Sequence, residues 1–66
     1  MIDVGDLVKV PERINGTPSY IGLVVESAGY KLTIQGGEVH GVKSWDGQPG
    51  IDTWDRADLR LIAKGQ

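Results

Sequence analysis

The chain contains no cysteine and no phenylalanine, and a single histidine among 66 residues. It therefore has no disulfide, and no Cys/His constellation from which to build a structural zinc site. A chain this short buries only about 60% of the surface its unfolded form exposes. Small domains without such staples often lean on an oligomer or a partner surface. No long apolar run, amphipathic stretch or polybasic segment is present to engage a membrane. A basic excess is missing too. Seven Lys and Arg, never adjacent, stand against nine Asp and Glu for a formal net charge of −2. That pattern leaves no electrostatic footprint for duplex nucleic acid. Residues Met1-Ile2-Asp3-Val4-Gly5-Asp6 lack the basic and apolar regions of a secretory signal, so a cytoplasmic rather than secreted setting is expected. The sequon Asn15-Gly16-Thr17 then carries no meaning.

What is present is apolar alternation punctuated by glycine. The composition is 39% hydrophobic with ten glycines, which argues against disorder. The centre of the pattern is Tyr20 to Gln35, where Ile21/Leu23/Val25 and Tyr30/Leu32/Ile34 recur at every second position. Period-two alternation puts one face of each run on a core and the other towards water. The connector Ser27-Ala28-Gly29 is small and offers the glycine a tight hairpin needs.

Around this hairpin the chain reads as short strands and turns. Leu7-Val8-Lys9-Val10 is a first strand, with either face able to point inward, and Pro11 ends it by removing a ladder donor. Residues 11–19 form a loop turning at Asn15-Gly16, either an irregular hairpin over the barrel or a solvated connector. Gln35-Gly36-Gly37-Glu38 is a second turn signal. Val39 to Trp45 is a weaker strand interrupted by Gly41, and Asp46-Gly47-Gln48-Pro49-Gly50 is a loop. Ile51-Asp52-Thr53-Trp54 is a short strand, and Asp55-Arg56-Ala57-Asp58 a single helical turn that the Asp55 side chain can cap. Leu59-Arg60-Leu61-Ile62 closes the chain. The expectation is one all-β domain over residues 1–66, a small barrel of five or six short antiparallel strands with a one-turn helix before the last. Its expected core is Val10, Ile21, Leu23, Val25, Leu32, Ile34 and Leu61.

The polar residues give no recognisable catalytic or ligand spacing. His40 has no serine or cysteine partner for a nucleophilic triad, and a lone histidine does not build a metal site. Asp46, Asp52, Asp55 and Asp58 cluster in sequence, but their spacing does not follow the calcium-loop template. Turn and cap roles account for Asp46 and Asp55. No catalytic activity, cofactor or bound metal is expected. The aromatic residues are Tyr20, Tyr30, Trp45 and Trp54. Gathered on a rim, they would suit a peptide, a methylated lysine or a single-stranded base. The alternative places Trp54 and Tyr30 in the core or its lid. Trp45 borders a polar Gly/Pro loop with little to pack on, and tryptophan is enriched at interface hot spots, so it is either a contact residue or a plug of its own loop.

Gly5-Asp6-Leu7-Val8-Lys9-Val10, then Ile21-Gly22-Leu23-Val24-Val25-Glu26, then Trp54 followed by Asp58-Leu59-Arg60-Leu61-Ile62, together resemble an SH3-like barrel. The order is similar to that of the short SH3-like proteins encoded by tailed bacteriophages, particularly those of cyanobacteria. A weaker similarity is to KOW-type barrels, whose usual basic character is absent. The phage resemblance implies a virion accessory role, in capsid decoration or a neck–tail connector, with the chain in the virion or the host cytoplasm. The KOW or Tudor-like resemblance implies a nucleic-acid-binding or regulatory adaptor. Residues 36–50 exceed the usual tight turn between third and fourth strands. They carry Val39, Val42 and Trp45, apolar groups that cannot all reach a five-stranded core. These residues, with Ile14 and Tyr20, form the expected contact surface for another protein subunit or a second copy. Trp45 is the expected anchor.

Overall fold

The computed structural model describes residues 1–65. Five antiparallel strands form one sheet: β1 (Leu7–Val10), β2 (Tyr20–Ala28), β3 (Lys31–Gln35), β4 (Ile51–Asp55) and β5 (Arg60–Ala63). Their spatial order is β4-β3-β2-β1-β5, so the last strand returns to pair with the first. The connection between the two outermost strands is a 3₁₀ turn, Arg56–Asp58. This is the all-β architecture of a small SH3-like barrel, with a one-turn helix before the last strand.

The hairpin at the centre forms, with a longer β2 than the sequence suggested. Ala28 pairs with Lys31, which leaves Gly29-Tyr30 as a two-residue turn. Gly29 takes φ 64°, a left-handed angle that glycine adopts without steric cost. Val24 faces Ile34, but Glu26 faces Thr33, so Val25 is an extra residue in a bulge. The bulge resets the register of β2, so that Glu26 stands opposite Thr33 rather than opposite the inward-facing Leu32.

The inner face is not the one the alternation suggested. The core is Ile2, Val8, Val10, Tyr20, Val24, Leu32 and Ile34, joined by half-buried Val42, Trp54 and Leu59. Ile21, Leu23 and Val25, all expected inside, lie on the exposed face. Both phases of β2 are apolar, and Gly22 selects between them. A Cβ on Gly22 would collide with the Ile34 side chain and crowd the Tyr20 ring, so the hydrogen at that position makes room for both. Leu61 stands opposite Val8 but at the edge strand, where it stays partly exposed rather than entering the core. Val10, Leu32 and Ile34 are buried as expected. Each fully buried aliphatic side chain stabilises the fold by about 1.5–3 kcal/mol.

No sixth strand forms from Val39 to Trp45 among the described residues. Instead Glu38–His40 makes a 3₁₀ turn, and a single bridge pairs Lys43 with Pro49. Tyr30, in phase with Leu32 and Ile34, falls at the hairpin turn and is exposed instead of lying at the core edge. The cap read from the sequence is present. Asp55 accepts a hydrogen bond from the Ala57 N–H at 3.0 Å.

The two ends of the described chain meet at Asp6, which is 1% exposed. Its carboxylate accepts hydrogen bonds from the Asp3 N–H (2.8 Å), the Lys64 ammonium (2.7 Å) and the Gly65 N–H (2.8 Å). Lys64 also donates to the Met1 carbonyl at 2.8 Å. The Lys64 hydrogen bond, backed by the two backbone donors, lowers the Asp6 pKa to about 2.

Candidate functional site

Two long loops rise from the barrel, residues 11–19 and 36–50, and each is held by its own hydrogen bonds. In the first, the Arg13 N–H donates to the Thr17 carbonyl (2.9 Å) and the Gly16 N–H to the Arg13 carbonyl (3.1 Å). Asn15 accepts from both the N–H and the hydroxyl of Thr17, at 3.1 and 2.9 Å. Asn15-Gly16 is thus the turn its sequence announces, with Gly16 at φ 97°. Ile14 sits at this tip fully exposed.

The second loop is closed at its base. The Gly36 N–H donates to the Gly50 carbonyl (3.0 Å) and the Gly50 N–H to the Val42 carbonyl (2.7 Å). Its tip is a tight turn in which the Ser44 N–H donates to the Gln48 carbonyl (3.0 Å) and the Gly47 N–H to the Ser44 carbonyl (2.9 Å). The Ser44 hydroxyl bridges to the Asp46 carboxylate and accepts from the Gln48 N–H (2.9 Å). Trp45 stands on this tip at 98% exposure, and Val39, on the first turn of the loop, is 82% exposed. The exposed apolar side chains of this loop thus stand on backbone that is already hydrogen-bonded, which lowers the ordering cost of any contact made there.

Beneath the loops lies a cluster that sequence reasoning missed. Asp52 of β4 points inward and accepts from Arg13 Nη2 (2.5 Å), Trp54 Nε1 (2.7 Å) and the Tyr20 hydroxyl (3.3 Å). Its Oδ1 also accepts from the Thr53 N–H at 2.9 Å. The Arg13 guanidinium lies over the Trp54 ring, 4.6 Å from its centroid, in a cation–π contact. Burial, followed by the nearby Asp52 charge and its hydrogen bond, raises the Tyr20 pKa to about 12. Tyr20 is also 6.1 Å from the His40 ring, centroid to centroid, which ties the second loop to the barrel.

Arg13 divides two depressions. One, of about 400 Å³, runs along Glu12, Ile14, Asn15 and the Trp54 ring. The other, about 270 Å³, lies between Asn15 and Thr17 of the first loop and Gly41, Val42 and Lys43 of the second, with Asp52 at its floor.

The five residues expected on the contact surface therefore separate. Trp45, Val39 and Ile14 are exposed on the loops, and Val42 is half-buried against the core while lining the second depression. Tyr20 is buried, so it supports the site from below instead of offering its ring to a partner. Among the described residues, no group of three or more His, Cys, Asp and Glu side chains is placed to hold a metal ion. Asp46, Asp55 and Asp58 do not join Asp52: Asp55 caps a turn and Asp46 bonds Ser44. The chain matches no model of a known protein family, no curated protein and no solved structure.

Proposed function

We propose that this barrel is a non-enzymatic binding module that docks on another protein through the tips of its two long loops. The role that fits it is that of a virion accessory subunit, a capsid decoration protein or a neck–tail connector. The observation that carries the reading is Trp45, almost wholly exposed on a hydrogen-bonded tip where it contributes nothing to the core. Val39 and Ile14 extend the apolar surface on the same two loops. The phage part of the reading rests on the resemblance of the strand motifs, and the net charge of −2 favours a protein partner over nucleic acid.

Docking of this kind buries apolar surface rather than neutralising phosphates, so it survives moderate salt. The test is co-sedimentation of the purified protein with particles of the phage carrying its gene, at low and raised salt. Binding that persists in salt supports the reading. Binding that collapses with salt, together with retention of RNA by the purified protein, supports a nucleic-acid-binding adaptor instead.

A further inference from the structure

The face that the core does not use carries a second apolar surface, on the sheet rather than on the loops. The exposed sides of β1 and β2 present Leu7, Ile21, Leu23 and Val25, each between about one-third and three-fifths exposed. Their order is set by the ladder: Leu7 pairs with Leu23, and Lys9 with Ile21. Arg60 of β5 stands next to Lys9, so one end of this strip is basic. At the other end the β2 bulge brings up Val25 and then Glu26. Lys9, Arg60 and Glu26 are all exposed, and none is in an ion pair among the described residues.

This arrangement is self-complementary. Rotate a copy about a twofold axis lying in the face along the Leu7–Leu23 row. Leucines then lie over leucines, and the Lys9–Ile21 end of one copy lies over the Val25–Glu26 end of the other. The two ends are about two residues from the axis, roughly 7 Å each at the rise of a strand. An isologous contact requires this match, with each patch meeting itself reversed. A partner of uniform charge would satisfy one end and repel the other.

We propose that a second copy of the chain packs on the outer face of β1 and β2, with Lys9 of each copy beside Glu26 of its partner. Four half-exposed aliphatic side chains supply only part of the roughly 800 Å² per partner of a standard interface. The dimer is therefore weak and concentration-dependent.

Sedimentation equilibrium of the full chain, from micromolar to about 1 mM, reads it directly. The expected result is a reversible monomer–dimer equilibrium within that range. Lys9→Glu and Glu26→Lys each weaken self-association by about tenfold or more, because each turns both copies of the Lys9–Glu26 contact into a like-charge pair. Mixed in equal amounts, the two variants recover a dimer. The two substituted side chains then meet as an opposite-charge pair at one end, and the native Lys9–Glu26 pair reforms at the other. Both substituted positions are exposed, and circular dichroism verifies that each variant keeps the β spectrum. A wild type that stays monomeric throughout overturns the proposal, as does a dimer that ignores the charge variants or fails to recover on mixing. Trp45→Ala keeps the wild-type equilibrium under this proposal. Its loss of dimer would move self-association to the loop tips and refute the sheet contact while leaving the loop-tip surface in place.

Discussion

Asp6 and Asp52 are both buried carboxylates with a cation in contact, yet their donors come from different kinds of group. Asp6 gathers two backbone N–H groups and Lys64, and so joins the two ends of the described chain. Asp52 gathers mostly side chains, three of them, from the first loop, from β2 and from its own strand, beside one backbone donor, the N–H of the adjacent Thr53. Backbone donors fix where the chain runs; side-chain donors fix what the surface above them looks like. Asp6 therefore ties the segments on either side of the β1–β5 pair together, while Asp52 shapes the depressions beside Arg13 and Trp54. Two buried charges serve scaffold and site, and the difference lies in what each one holds.

The strongest way to break this contrast is to remove Asp52. Asp52→Ala leaves Tyr20, Trp54 and Arg13 without their acceptor and is expected to cost about 3 kcal/mol, since unpaired buried donors retain their desolvation penalty. Urea unfolding measures it. Arg13→Ala is milder, about 1 kcal/mol, because the guanidinium is partly in water and its ion pair is screened. That variant also uncovers the Trp54 ring, which a shift in indole fluorescence reports.

The two sites also separate by pH. Asp6 has a folded pKa of about 2, below its ordinary value of 3.8. Its contribution to stability is fully present above about pH 4 and is lost as the pH falls towards 2. Thermal melts across that window reveal a slope that Lys64→Met reduces, because the Lys64 hydrogen bond is the largest cause of the shift. Tyr20 works at the opposite end. Its pKa, raised from 10.0 to about 12, leaves a contribution intact below pH 10 that is lost between 10 and 12. In Tyr20→Phe the alkaline slope flattens while the acid slope remains.

Much of the barrel was legible in the sequence, for local reasons. Leu7–Val10, the Asn15-Gly16 turn, the β4 strand and the Asp55 cap all follow from contiguous residues. The choice of inner face on β2 did not, because Tyr20/Val24 and Ile21/Leu23/Val25 are both apolar phases. The deciding signal was Gly22, a gap in one phase that serves Ile34 on another strand. The apparent strand from Val39 to Trp45 failed because the glycine-rich segment closes on itself at Gly36 and Gly50 instead of extending a ladder. The Asp52 cluster was invisible for a different reason. Arg13 and Asp52 are 39 residues apart, and nothing local in either segment marks them as partners. Trp45 was legible only as a candidate: its turn neighbours offer it little to pack against, but the same residues suit a ring that plugs the loop, and its 98% exposure is visible only in the structure.

The loop tips complete the contrast, since they should matter for contact and not for the fold. Trp45→Ala is expected to change unfolding free energy by no more than about 0.5 kcal/mol, as for other surface substitutions. Under the virion role proposed above, the decisive measurement is the affinity of that folded variant for phage particles, read by co-sedimentation against the wild type. A loss of about 2 kcal/mol, roughly thirtyfold, is what an anchor at the centre of a contact produces. Unchanged affinity would contradict the assignment of Trp45 as the anchor and of the loop tips as the binding surface.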